Sequence, residues 1–312
     1  MRIPVLHDFF IKEQLKSCVS GAVLFDEPLD RYTSMGVGGP ADALVVPQSM
    51  EELVQLVRFL RKENIPFLTL GNGTNLIVRD GGCRGVVVAL RGLQKLSWAS
   101  DPEGKIRVQA EAGVPLASIV QLCIKESLAG LEFCTGIPGS VGGAVRMNAG
   151  AFGREMKDVV TAITVLNEHL ELETLSRREL SFEYRRLNLS DEAVIVCAEF
   201  ALCPGERESI SAEISEILAL RKSKHPLNFR NAGSIFKNPR NLPAGQLIEE
   251  TGLKGTRRGD AMISEKHGNF IVNLGHARAA DVVDLIEEIK GRVENCRAIQ
   301  LEAEVHIVGE DG

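Results

Sequence analysis

GIPGSVGGAVRMNAGAFG, residues 136–153, is the stretch on which the fold reading turns. It holds six glycines, one proline and a single charged side chain, Arg146. That much glycine weakens a helix interior, and the shortage of β-branched residues argues against an ordinary strand. Small side chains leave main-chain N–H groups reachable, and a turning backbone can aim several of them at one anion. The stretch therefore reads as a loop pressed against a flat, phosphate-bearing ligand. A tight crossover of two closely packed backbones is the structural alternative.

Toward the N-terminus the pattern is a strand at Ala43–Val46, a helix and a second strand at Ile65–Leu70. Ser49 and Glu52 have the spacing of a capping box, and Leu53, Leu56, Val57 and Leu60 mark the buried helix face. The second strand runs straight into Gly71-Asn72-Gly73-Thr74-Asn75. A dinucleotide fingerprint would need glycine where Leu76 stands and a helix after it, whereas Leu76–Val78 reads as another strand. A second phosphate-cradling loop of backbone amides is the expectation, with a plain turn as the alternative. Strands at Val86–Leu90 and Ile106–Ala110 and a helix over Pro115–Glu126 lead back to the glycine stretch.

Beyond it, strands at Val159–Leu166 and Leu170–Leu175 flank a turn at Asn167–His169. A short helix near Arg177–Leu180 and a buried strand over Ala193–Leu202 follow. Pro204-Gly205 is the expected boundary. After it come an amphipathic helix carrying Ile210, Ile214, Ile217 and Leu218, helices over Pro243–Thr251 and Ala279–Cys296, one or two strands within Ala261–Asn273, and an alternating strand over Ile299–Val308.

The chain has 312 residues, room for two or three domains, and a net charge of −6, which argues against a nucleic-acid binder. Seven scattered cysteines without paired spacing point to reduced thiols, and no metal-ligand cluster is expected. No apolar run approaches the ~20 residues needed to cross a bilayer, so a cytoplasmic soluble protein is expected. Charge is uneven, however. Residues 217–248 contain no acid but carry Arg221, Lys222, Lys224, His225, Arg230, Lys237 and Arg240. Such an interval in an anionic chain suggests a polyphosphate site, against the alternative of a solvated basic face. Within it, Ser234 stands behind a glycine and before an apolar pair, as a hydroxyl presented on a turn.

GNGTNLIV (71–78), the 136–153 stretch, YR (184–185), AGSIFKNP (232–239) and LEAEVHIVG (301–309) occur in this order. From about Thr33 to Gly309 the chain resembles the UDP-N-acetylenolpyruvoylglucosamine reductases of peptidoglycan synthesis. The serine and terminal-glutamate motifs are close to family-specific. The glycine motifs are shared with the wider vanillyl-alcohol-oxidase class of FAD enzymes. The resemblance implies an α+β fold of three α/β regions: 1–72 with 303–312, then 73–204, the two together binding FAD, and a substrate domain at 205–302. It implies FAD against Gly71, Asn72, Gly73, Thr74 and Asn75 and against Gly136, Pro138, Gly139, Ser140, Gly142, Gly143, Asn148 and Gly150.

The implied reaction has two stages. NADPH reduces the flavin and leaves; hydride then passes to C3 of UDP-N-acetylglucosamine enolpyruvate, and C2 is protonated. Charge developing on the enolpyruvyl carboxylate requires fixed donors. By resemblance these are Arg185 and a neutral Glu304, with Ser234 as proton donor. Tyr184, Arg230, Lys237 and Asn238 are candidate substrate contacts, and a monomer is expected.

Some positions depart from the family pattern. Leu187 stands where a serine is frequent, Ala303 for a proline and Thr74 for a serine. The linker 186–193 is too short for the lid that one family branch carries. Arg186 neighbours Arg185, but strand alternation would point it away. Two other readings are a related oxidase of small alcohols, which the acid-free interval disfavours, and a non-catalytic flavin-binding module, which the retained Arg185, Ser234 and Glu304 disfavour.

Overall fold

The computed structural model describes residues 8–101, 103–239 and 242–312; Arg240 of the basic interval lies outside them. The first region is a four-stranded sheet in the order Val23–Pro28, Pro40–Val45, Cys83–Ala89, Phe67–Leu70. The first pair is antiparallel and the rest parallel. The Met50–Lys62 helix makes the crossover, and Ser49 caps it by accepting from the Glu52 N–H. Its Leu53, Leu56, Val57 and Leu60 are buried against Val86 and Val88 of the sheet. Because Cys83–Ala89 is the third strand of this sheet, the first region extends past residue 72.

The second region is built on an antiparallel sheet ordered Leu172–Ser176, Val160–Leu166, Val194–Pro204, Ile106–Glu111, Leu96–Ser100. The expected helix near Arg177–Leu180 is a turn, in which the Glu179 carboxylate accepts from the Ser176 N–H and hydroxyl. The Arg207–Lys224 helix belongs here, because Ile210 and Ile214 are buried in the same core as Phe200 and Ile119. The boundary therefore falls near residue 225 rather than at Pro204-Gly205. Leu187 is fully buried in this core, which accounts for an apolar residue at that position.

The third region has four short strands ordered Arg230–Asn231, Ile271–Asn273, Ala261–Ile263, Arg257–Arg258, with helices Ala244–Glu250 and Ala279–Arg297. Its core takes in Met35, Val37 and Ile77 from the first region. Asp80 ties the two further, accepting at 2.9 Å from both Ala279 and Ala280 at the start of the last helix. The expected strand over Ile299–Val308 shortens to His306–Val308, which runs parallel beside Leu76–Val78. Residues before it are held by local bonds to the serine motif instead: Lys237 donates to the Glu302 carbonyl, and Phe236 bridges Ala303.

The 136–153 stretch differs most from its reading. Val141–Arg146 is a helix, with Gly142 and Gly143 inside it. Gly142 permits this by lying against Ala112: an added Cβ would stand 2.7 Å from the Ala112 Cβ. Its glycine content thus serves a close backbone approach as well as a loop.

Candidate active site

The two glycine stretches wall one cleft of ≈ 370 Å³, residues 71–75 on one side and 136–140 on the other, with 231–234 along its edge. Arg185, Ser234 and Glu304 all line it. Arg185 is the second residue of a two-residue turn, since Glu183 pairs with Arg186 across a hairpin. Its backbone is left-handed, φ 58°, a conformation uncommon for a non-glycine residue. Arg186 enters the outgoing strand and is exposed. The Arg185 guanidinium reaches Glu304, Nε to Oε1 at 3.1 Å, and donates from Nη2 to the Gly150 carbonyl at 3.2 Å. Tyr184 is exposed and lies beneath the guanidinium at 4.9 Å.

Glu304 is placed by its main chain. Its N–H donates to the Ile235 carbonyl at 2.8 Å, and its carbonyl accepts from Asn75 Nδ2 at 3.0 Å. Thus one residue couples the serine motif to the first glycine loop. Burial pushes the Glu304 carboxyl above its usual range, against the opposing pull of Arg185 and Lys237. Ser234 is fixed from both sides: Gly233 donates to Asn231 Oδ1 at 3.0 Å and Ile235 to the Asn269 carbonyl at 2.9 Å. Asn269 also exchanges two hydrogen bonds with the Phe236 backbone.

Gly71–Asn75, Gly136, Pro138–Ser140, Gly143 and Gly150 line the cleft. Gly142 and Asn148 are turned from it. The Gly142 N–H donates to the Ala112 carbonyl. Asn148 is fully buried, donating to Glu155 and to the Glu183 carbonyl and accepting from Lys157 N–H; it braces the Arg185 hairpin. Among the substrate candidates, Arg230 packs over Gly36, and Lys237 pairs with Glu302 at 2.5 Å. Asn238 accepts from the Ala244 N–H, and with Ser234, Lys266 and His267 it lines a second cavity of ≈ 270 Å³. The basic interval therefore does not converge on one point.

Four further ionisable residues line the main cleft: Arg146, Arg221, His225 and His306. Arg221 and His225 belong to the acid-free interval, which was their only signal; Arg146 is the one charge of the 136–153 stretch and His306 lies in the 301–309 motif, but neither was read as a site residue. Burial and the neighbouring Arg221 lower His225 to about 4, and His267, Lys266 and Lys224 act in the same direction. His225, His267 and Phe270 form a cluster of three rings with centroids 4.9–5.6 Å apart.

The cleft fits a phosphate-bearing flavin nucleotide. Among the described residues, the N–H groups of Asn72, Gly73, Thr74 and Asn75 donate to no other group. The buried Ser140 hydroxyl likewise has no partner there. A Cβ on Gly71 would stand 2.5 Å from that hydroxyl, so only glycine keeps this part of the cradle open. Unpaired main-chain amides on a turning backbone can form an anion site.

Fold and cleft together define the class, a flavin-nucleotide-binding oxidoreductase scaffold. Residues 41–176 match the family described as FAD binding domain. Residues 225–308 match the C-terminal domain of UDP-N-acetylenolpyruvoylglucosamine reductase. The chain is 44% identical to the UDP-N-acetylenolpyruvoylglucosamine reductase of Carboxydothermus hydrogenoformans, over 96% of this chain and 98% of that protein. It is 45% identical to the enzyme of that name from Caldanaerobacter subterraneus, over 96% and 97%. The crystal structure of the Thermus caldophilus reductase superposes with a TM-score of 0.76 at 38% identity, covering 92% of this chain and 98% of that one. The chain belongs to the UDP-N-acetylenolpyruvoylglucosamine reductase family.

Proposed function

We propose that this chain reduces UDP-N-acetylglucosamine enolpyruvate to UDP-N-acetylmuramate, with NADPH as reductant and FAD as bound cofactor, in the synthesis of peptidoglycan precursors. The observation that carries the proposal is the convergence of Arg185, Glu304 and Ser234 on the cleft walled by the two glycine stretches. When bound, FAD supplies hydride transfer from NADPH to C3 of the enolpyruvyl group. The amides of Asn72–Asn75 and the Ser140 hydroxyl would hold that cofactor, and Gly71 keeps the room for it.

Charge accumulating on C2 and the carboxylate is met by the Arg185 guanidinium, fixed in advance by Gly150 and Glu304. Preorganised donors of this kind cost no reorganisation as the charge develops. Glu304, whose burial favours the neutral acid, donates to the same carboxylate. Ser234 gives a proton to C2. A hydroxyl suffices as the acid because the carbon it meets is strongly basic. The UDP portion extends toward the cavity that Asn238 and Lys266 share with Ser234.

We read the enzyme as a cytoplasmic monomer: all seven cysteines are free, and no helix among the described residues is long and apolar enough to cross a membrane. Purification, the flavin spectrum and NADPH absorbance with and without the enolpyruvyl substrate test the activity. Flavin without substrate-dependent NADPH loss would remove the reductase assignment, and absence of flavin would remove the flavoenzyme. Light scattering at working concentration tests the monomer.

A further inference from the structure

Arg221 stands out among the cleft residues because its charge is unopposed. It projects from the last turn of the Arg207–Lys224 helix, in a part of the chain the family assignment gives no role. Its stem lies against Gly136, where an added Cβ would be 2.7 Å from Arg221 Cδ. Its guanidinium sits 5.6 Å from the Phe152 ring, at the far end of the same glycine stretch. Buried Nε has no hydrogen-bond partner, and no carboxylate pairs with the side chain among the described residues. Burial lowers its pKa, the direction expected of a desolvated cation without a counter-ion.

A guanidinium held this way is destabilising unless an anion completes it. Of the other cations, Arg146 pairs with Asp191 and Lys237 with Glu302, while Arg185 is placed, in the proposed reaction, for the substrate carboxylate. Gly136 and Phe152 flank the Arg221 side chain, and Phe152 is a non-glycine residue with a left-handed backbone, φ 55°. Such strain is retained where surrounding structure demands it.

We propose that Arg221 is a cofactor-binding residue, the counter-cation for an anionic group of the flavin nucleotide seated against Gly136. That group is the diphosphate or the N1–C2=O edge of the ring once it carries negative charge. The inference rests on the FAD reading above and adds a residue to it. Arg221 fills a charge requirement that backbone amides meet only with partial dipoles, and the bidentate geometry of arginine suits either group.

Arg221→Met and Arg221→Lys, compared with the parent chain, test this by FAD and riboflavin titration of the apoprotein and by the midpoint potential of the bound flavin. A charge-assisted contact predicts a loss in Arg221→Met on the order of 10- to 100-fold, partly restored in Arg221→Lys. If FAD affinity falls while riboflavin affinity is unchanged, the partner is the diphosphate. If the potential falls, by about 30 mV for each tenfold loss of preference for the reduced ring, the partner is the ring edge. Arg221→Met should also leave the apoprotein no less stable to urea, because it removes an unpaired buried charge. Unchanged affinity and unchanged potential overturn the inference, as does a fall in FAD affinity matched by a comparable loss of apoprotein stability. A parent chain that binds no flavin removes the underlying reading instead.

Discussion

The Arg185 guanidinium and the Glu304 carboxylate meet at 3.1 Å, one from a strained hairpin turn and the other from a segment strapped to Asn75 and Ile235. The Arg185 guanidinium is tied further to the Gly150 carbonyl, and the Glu304 main chain is bonded on both sides. Glu304→Ala is expected to lower kcat by on the order of 10²–10³-fold, the usual loss for one transition-state donor, with flavin content unchanged. The pH profile carries a second test. A raised carboxyl pKa keeps Glu304 protonated further up the pH scale, so activity that needs the acid falls as pH rises through that raised value. Glu304→Gln, whose amide cannot titrate, is expected to flatten this limb in a kcat/KM profile.

In the proposed reaction Ser234 acts only after hydride has reached the substrate. Ser234→Ala is therefore expected to leave anaerobic reduction of the bound flavin by NADPH at its parent rate. Reoxidation by the enolpyruvyl substrate should slow by on the order of 10²–10⁴-fold, the contribution of a positioned acid. Stopped-flow absorbance separates the two stages, and normal reoxidation would take Ser234 out of the role.

The two central glycines of the Val141–Arg146 helix should respond differently to alanine. Replacing glycine inside a helix ordinarily gains about 1 kcal/mol. At Gly142 the new methyl meets the Ala112 Cβ at 2.7 Å, and overpacking of about 1–3 kcal/mol offsets that gain. At Gly143 its nearest neighbour is Ser140 Oγ at 3.7 Å, an ordinary contact on the cleft wall. Gly142→Ala should lose stability in urea, whereas Gly143→Ala should keep it and bind FAD less well. Equal stability of the two variants would contradict the packing argument.

His225 is held neutral, with its pKa lowered to about 4. A depressed histidine leaves the unfolded chain as the better proton acceptor below the ordinary value of ~6.5. Stability contributed above that pH is lost as pH falls from about 6.5 toward 4. Partial exposure reduces the effect to about 1–2 kcal/mol. His225→Gln should flatten this part of the stability–pH curve in chemical denaturation, leaving smaller slopes from His267 and His306, which burial also lowers.

Some of this was readable in the residues. Helical spacing marked the Met50–Lys62 face, because local pattern and burial agree there; Arg185, Ser234 and Glu304 were named by resemblance, and the structure brings all three to one cleft. The Val141–Arg146 helix was not readable. Its glycines oppose helix propensity, and only the long-range contact with Ala112 explains them. The region boundary near residue 225 was hidden for a similar reason, since Pro204-Gly205 punctuates the chain but the next helix buries Ile210 and Ile214 backward. Asn148 looked like a ligand contact by position, yet its side chain serves the hairpin beneath Arg185. Arg221 and His225 were visible only as part of a charge pattern, which places residues in a stretch of chain but not on a wall.

The Asn75–Glu304 strap spans 229 positions. On a translating ribosome, both glycine stretches and Arg185 emerge well before Glu304. A nascent chain therefore carries its first glycine loop without the Glu304 main chain and the His306–Val308 strand that hold it, and Arg185 without its carboxylate. Completing the first glycine loop and pairing the guanidinium thus both wait on one contact of very long loop closure.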